Sequence, residues 1–136
     1  MKRKLNFIYH LFITACSFIF GTLSFIEASV LANEEYEGFE GLGAGIGAAV
    51  LIIFGAFMSA FALLSVIPTV VSLKAINRGR KRHFITCTVF DILYLLLFAT
   101  FFVALIGETA ALVLIPFILL DTGAIILNFL ILRETL

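Results

Sequence analysis

Charged side chains and proline are scarce in this sequence, and tryptophan is absent. Charged residues make up 13% of the 136 residues, there are two prolines, and hydrophobic residues make up 62%. With a mean hydropathy of +1.19, the chain is more apolar than a soluble domain, in which roughly half of the residues are apolar. The composition therefore excludes a soluble globular protein. It predicts a single membrane domain over residues 1–136, with no soluble domain.

Cysteine is also rare. Cys16 and Cys87 are the only two, both lie in apolar stretches, and neither belongs to a CxxC or Cys/His pattern. Disulfides form in oxidising compartments, and metal sites need closely spaced ligands. We therefore predict neither a disulfide framework nor a metal site, and we interpret both cysteines as small membrane-buried residues.

Motifs of catalysis and cofactor binding are missing from the sequence. It contains no phosphate-binding loop, no HExxH motif, no paired-histidine metal spacing and no Ser/His/Asp pattern of a hydrolase. Its net charge is zero, so charge gives no argument for nucleic-acid binding. We predict a protein that is not an enzyme, uses no cofactor and binds no nucleic acid.

Four long apolar segments dominate the chain. They cover approximately residues 5–31, 42–73, 84–106 and 109–132. A transmembrane helix needs about 20 apolar residues, and backbone polar groups in hydrocarbon must bond within the segment, which favours helices. The sequence thus predicts an all-α bundle of four transmembrane helices. The link at Gly107 and Glu108 is so short that helices three and four should form a tight antiparallel hairpin.

The second apolar segment is longer than a bilayer requires. It must tilt, bend or begin outside the hydrocarbon. Glycine at alternate positions from Gly41 to Gly47 predicts an irregular beginning. Proline has no amide donor, so Pro68 in this segment and Pro116 in the fourth indicate kinks.

Lysine and arginine are confined to alternate ends of these segments. The nine basic residues are Lys2, Arg3, Lys4, Lys74, Arg78, Arg80, Lys81, Arg82 and Arg133, and six of the nine acids fall at the opposite ends: Glu27, Glu34, Glu35, Glu37, Glu40 and Glu108. Basic residues resist translocation and stay cytoplasmic. We predict a multi-pass protein of the plasma membrane, specifically a bacterial inner membrane, with both termini in the cytoplasm.

Two processing alternatives stay open at the N-terminus. The basic start, the apolar run and Val30-Leu31-Ala32 resemble a signal peptide with a small-residue cleavage site, although the usual apolar core is only about 7–15 residues. Residues 13–16, Ile-Thr-Ala-Cys, resemble a lipoprotein cleavage box, but the sequence after Cys16 continues as a membrane span. We favour an uncleaved first helix.

Small residues recur at four-residue spacing in the second segment. The stripe consists of Gly43, Gly47, Gly55 and Ser59. Small side chains let helix backbones approach closely in a membrane. We predict that this surface packs against another helix of the chain; self-association through it is the alternative.

Two acids, Asp91 and Asp121, lie inside apolar segments, where a charge costs about 2.5–3.5 kcal/mol on insertion scales. At about 1.5 Å per residue, His10 lies roughly 8 Å and Asp91 roughly 10 Å from the cytoplasmic ends of their helices, near the depth of Asn128. We predict a buried polar cluster of His10, Asp91 and Asn128, with Asp121 above it. The cluster either holds the bundle together through hydrogen bonds or forms a proton or cation site.

Two functional hypotheses follow. The first is an accessory, assembly or immunity-type subunit that contacts itself or another membrane protein within the lipid bilayer, because the chain offers almost no other surface. The second is an oligomeric ion or proton channel or transporter that uses Asp91 and Asp121. The arrangement resembles that of small four-helix membrane proteins of bacteria, but this likeness is of topology alone and transfers no activity.

Overall fold

Four α-helices make up nearly all of the chain in the computed structural model. They are α1 (Lys2–Asn33), α2 (Gly38–Asn77), α3 (Lys81–Ala104) and α4 (Thr109–Thr135). The structure describes residues 1–35, 37–104, 106–107 and 109–135, and only the backbone of Thr109, Ala110 and Thr135. No β-strand occurs in these ranges. The prediction of an all-α chain with four long apolar helices is confirmed.

Each helix is long and apolar enough to cross a membrane. The qualifying spans are Lys2–Asn33, Gly38–Asn77, Lys81–Ala104 and Ala111–Glu134. The first two contain the predicted segments 5–31 and 42–73, whereas the third ends two residues before the predicted 84–106 and the fourth begins two residues after the start of the predicted 109–132. Where a span is longer than its segment, it includes flanking polar residues, because a helix continues wherever its backbone can bond four residues back. Four such helices are compatible with a multi-pass membrane bundle.

The second helix is the longest, with 40 residues. At about 1.5 Å per residue it would measure about 60 Å, roughly twice the hydrocarbon thickness of about 30 Å. The predicted irregular beginning is wrong, since α2 is continuous through Gly41–Gly47. Internal bonding of the backbone outweighs the weak helix propensity of glycine in an apolar setting. The irregularity lies earlier, at Gly38, whose φ of 61° suits a residue without Cβ.

The chain divides into two compact units, and α1 and α2 contribute residues to both. The first unit comprises Met1–Ile13 and Ser65–Leu136. In it, α3 packs against α4, with the rings of Phe98 and Phe117 stacked at a centroid distance of 5.3 Å. The same unit contains an apolar cluster of Ala75, Phe84, Leu127 and Ile131. This cluster lies closer to the basic residues of the chain than the stacked rings do. The single membrane domain predicted from composition stays a prediction.

The contacts of α3 with α4 run in antiparallel order. Phe98 meets Phe117, and Asp91, about two turns earlier in α3, meets Asn128, later in α4. The link between the two helices includes Leu105 and Glu108, which lie outside the described residues. The tight hairpin therefore remains a prediction.

The second unit, Thr14–Leu64, is built around a close crossing of α1 and α2. A Cβ on Gly55 would lie 3.2 Å from the carbonyl oxygen of Gly21 and 3.3 Å from the ring of Phe25. A Cβ on Gly21 would lie 2.7 Å from the hydroxyl oxygen of Ser59 and 3.3 Å from its backbone nitrogen. Glycine at both positions allows the two backbones to meet.

The predicted small-residue stripe is only partly used in this crossing. Gly55 and Ser59 lie at the contact. Among the described residues, a Cβ on Gly47 would reach only Leu31, at 3.9 Å, and a Cβ on Gly43 would meet no atom within 4 Å. Including Gly43 in the packing stripe therefore requires correction. Crossed helices diverge from the point of contact, and Gly43 is about 18 Å along α2 from Gly55 at about 1.5 Å per residue.

Candidate buried polar site

The first unit brings three polar side chains together from three different helices. His10 of α1, Asp91 of α3 and Asn128 of α4 are 2%, 0% and 0% exposed. The Nε2 atom of His10 lies 2.9 Å from Oδ1 of Asp91. The Nδ2 amide of Asn128 donates to Oδ2 of the same carboxyl group at 2.8 Å. Asp91 is thus held on both oxygens by a side chain from each of two neighbouring helices.

The hydrogen bond of the second ring nitrogen of His10 determines how many protons His10 and Asp91 hold together. Nδ1 of His10 lies 2.8 Å from the backbone carbonyl oxygen of Asn6, which can only accept a hydrogen bond. Nδ1 therefore carries a hydrogen, and the contact between Nε2 and Asp91 must contain one further proton. Whether that proton belongs to the imidazole or to the carboxyl, His10 and Asp91 together have no net charge. Such a satisfied pair avoids the cost of an isolated charge in a low-dielectric interior.

Asp121 lies in a different environment from Asp91. Its side chain is also 0% exposed, but neither carboxyl oxygen has a hydrogen-bond partner among the described residues. Asp91 is close enough to interact with it electrostatically, and so is Tyr94, which follows Asp91 by one helical turn. Asp121 therefore belongs to the same polar interior as the His10–Asp91 pair without being bonded to it.

Sequence reasoning missed Asn6, which is also part of this interior. Its side chain is 0% exposed, and within the described chain its amide nitrogen and oxygen have no hydrogen-bond partner. The spacing of four residues between Asn6 and His10 was a usable signal, since such residues share a helix face. An unpaired buried amide costs about 1–3 kcal/mol, so Asn6 is a polar group that the fold tolerates rather than one that stabilises it.

Basic residues and an aromatic ring lie at the end of the unit nearest to Asn6. The guanidinium of Arg3 lies over the ring of Phe84, 5.8 Å from its centroid, and contacts the backbone region of Gly79. Lys2 forms an ion pair with Glu134. These contacts join the first turn of α1 to the start of α3 and the end of α4. They position Asn6 and His10 one and two turns deeper.

The thiol of Cys87 adds a link between α2 and α3 in the same unit. It lies 3.6 Å from the carbonyl oxygen of Pro68, as a weak hydrogen-bond donor, and is fully buried. Both cysteines are free. In the residues that the structure covers, no group of three or more His, Cys, Asp or Glu side chains is placed to hold a metal ion.

Comparisons with known proteins found no relative of this chain. No protein-family model matches the chain, and neither a curated protein nor a solved structure matches it.

Proposed function

We propose that the protein is a non-catalytic multi-pass membrane protein that acts through helix contacts inside the bilayer, as an accessory, assembly or immunity-type subunit. The main support for this proposal is the apolar surface of its helices. Large apolar side chains are exposed on all four of them, for example Ile8 at 55%, Ile53 at 65%, Leu96 at 60% and Leu119 at 66%. The described residues between helices, 34, 35 and 37 and then 78–80, are too few to form a binding domain. A partner would therefore have to bind the helix faces.

The orientation that we propose places both termini in the cytoplasm, in a bacterial inner membrane, with α3 and α4 as a tight hairpin. The distribution of lysine and arginine supports it. We expect a periplasm-active reporter to be inactive when fused after Leu136 and active when inserted between Glu34 and Glu35. The reverse pattern would contradict the orientation, and a mature chain shortened at Ala32 would reveal cleavage.

Site-directed photocrosslinking tests the proposed role. A photoreactive residue would replace Ile8, Ile53, Leu96 or Leu119, one exposed position per helix, and fully buried Met58 would serve as the control. We expect one membrane protein to crosslink from one or two of the exposed positions and not from Met58. The abundance or assembly of that partner should fall when this chain is removed from the cell. Crosslinks only to lipid from every position would contradict the proposal, and crosslinks only to a second copy would indicate self-association.

A second candidate function is an oligomeric ion or proton channel or transporter. One observation favours it: two fully buried carboxyl groups, those of Asp91 and Asp121, lie in the same unit. Ionisable residues at membrane depth commonly mark ion or proton pathways. Four helices leave little room for a pathway within one chain, so this function requires several copies.

Proton flux into liposomes that contain the purified protein separates the two candidates. A channel or transporter should give a flux that Asp91→Asn and Asp121→Asn abolish. Thr122→Ala is the matched control, because Thr122 is exposed beside Asp121 and its hydroxyl donates to the Ile118 carbonyl oxygen of its own helix. The accessory role predicts no flux above that of protein-free liposomes.

A further inference from the structure

The two aspartates of this chain are equally buried but differently supplied with hydrogen-bond donors. Both are 0% exposed. Asp91 receives the amide of Asn128 and contacts the imidazole of His10. Both oxygens of Asp121 are without a partner in the described structure. The fold must therefore accommodate the carboxyl group of Asp121 without a hydrogen-bond donor from the described residues.

No basic side chain is available to neutralise Asp121. All nine lysine and arginine side chains are described, and none of them is buried. Arg133, the basic residue of α4, is twelve positions away, or about 18 Å at about 1.5 Å per residue. His10 is already engaged by Asp91, with which it forms a neutral pair. An ionised Asp121 would therefore be an isolated buried charge, the least favourable arrangement for a carboxyl group in an apolar interior.

The other buried polar groups of the unit do not favour ionisation either. Its buried titratable groups besides Asp121 are His10 of α1 and Cys87, Asp91 and Tyr94 of α3, while the described polar groups that α2 buries there are the hydroxyls of Ser65, Thr69 and Ser72. None of these supplies a positive charge beyond the His10–Asp91 pair. Among the described residues, Asp121 therefore has neither a hydrogen-bond donor nor an unpaired positive charge to balance an ionised carboxyl group.

We infer that Asp121 is a proton-binding site, at which the folded protein holds a neutral carboxylic acid at neutral pH. The bound species is a proton, which adds to one carboxyl oxygen without any change of oxidation state. A metal cation fits the site poorly, because hard cations take six or more oxygen ligands and the described residues contain no group of three or more His, Cys, Asp or Glu side chains placed to hold a metal ion. The inference goes beyond the proposed function and holds equally for an accessory subunit and for a transporter.

The sequence makes this site directly measurable, because Asp91 and Asp121 are its only aspartates. Protein labelled with ¹³C at the aspartate side-chain carbonyl and reconstituted in lipid would be studied by infrared spectroscopy at neutral pH. The isotope shift identifies aspartate bands, and the carbonyl stretch of a carboxylic acid is well separated from the bands of a carboxylate. Glutamates, which are unlabelled, do not interfere.

The deciding variant is Asp91→Asn, in which Asp121 is the only labelled carboxyl group. We expect an acid band in this variant, and the same band in the difference between the parent protein and Asp121→Asn. In Asp121→Asn, Asp91 is the only labelled carboxyl group. The spectrum of this variant therefore shows whether the proton between His10 and Asp91 lies on the carboxyl group. Should Asp91→Asn fail to fold, the difference spectrum decides alone.

Two outcomes would overturn the inference. One is a carboxylate band from Asp121 at neutral pH in the folded protein. The other is loss of the acid band when sodium is added at constant pH, which would make Asp121 a cation site. A retained acid band in sodium-free and sodium-containing buffer supports proton binding.

Discussion

Replacing Gly55 with leucine is expected to disrupt the crossing of α1 and α2. A Cβ at this position would already lie 3.2 Å from the backbone oxygen of Gly21 and 3.3 Å from the ring of Phe25, before the rest of the side chain is added. The backbone oxygen cannot rotate away, so the helices must separate. Overpacking of this kind costs about 1–3 kcal/mol, and occasionally more. Unfolding in a detergent titration, followed by circular dichroism, would measure the loss.

The chain provides a matched control for this substitution on the same helix. A Cβ on Gly43 meets nothing within 4 Å, so Gly43→Leu should leave the unfolding midpoint nearly unchanged. Gly55→Ala should fall between the two, because a single methyl group requires only a small shift of the Phe25 ring and of α1. Equal stability of Gly55→Leu and Gly43→Leu would show that the close approach has no energetic role.

Replacing Asp91 with leucine is expected to produce the second large effect. The change leaves Nε2 of His10 and Nδ2 of Asn128 without their hydrogen-bond partner in a fully buried position. Each buried polar group left unpaired costs about 1–3 kcal/mol, and this change leaves two of them. Asp91→Asn should instead cost less than about 1 kcal/mol, comparable to a typical hydrogen bond between membrane helices. Its amide can donate to neutral His10 and accept from Asn128.

A double-mutant cycle measures the interaction energy between His10 and Asp91 separately from the effect of each single substitution. His10→Leu with Asp91→Leu removes both partners, so the combined loss should be smaller than the sum of the two single losses. Strict additivity would contradict a direct contact between the two side chains. Equal destabilisation by Asp91→Leu and Asp91→Asn would show that the shape of the side chain, and not its hydrogen bonds, matters at this position.

Local features of the sequence were sufficient to predict the helices but not all of their details. Each apolar segment is long enough to form a helix that bonds its own backbone, and this requirement does not depend on distant residues. Most helix ends lie a few residues outside the predicted segments, because residues such as Lys2 and Lys81 continue a helix readily. In contrast, α3 ends at Ala104, two residues before the predicted end. The irregular beginning expected at Gly41–Gly47 was wrong, since glycine weakens a helix by only about 1 kcal/mol per residue.

The buried polar site could be predicted in part because depth and spacing are properties of single helices. Counting residues from the basic ends placed His10 and Asp91 at similar depths, and in the structure their side chains are in contact. The same counting did not include Asn6, although it shares a helix face with His10. Whether these groups have a function remains a prediction.

The sequence by itself determined that this is a helical protein with four apolar helices long enough to span a membrane, because composition and backbone bonding act locally along the chain. Only the tertiary structure decided which small residues form a close crossing. Gly21 and Gly55 meet while Gly43 stays open, since packing depends on where a second helix passes. It also decided that, among the described residues, Asp91 is bonded on both oxygens and Asp121 on neither, because a donor must come from another helix at the right height and rotation.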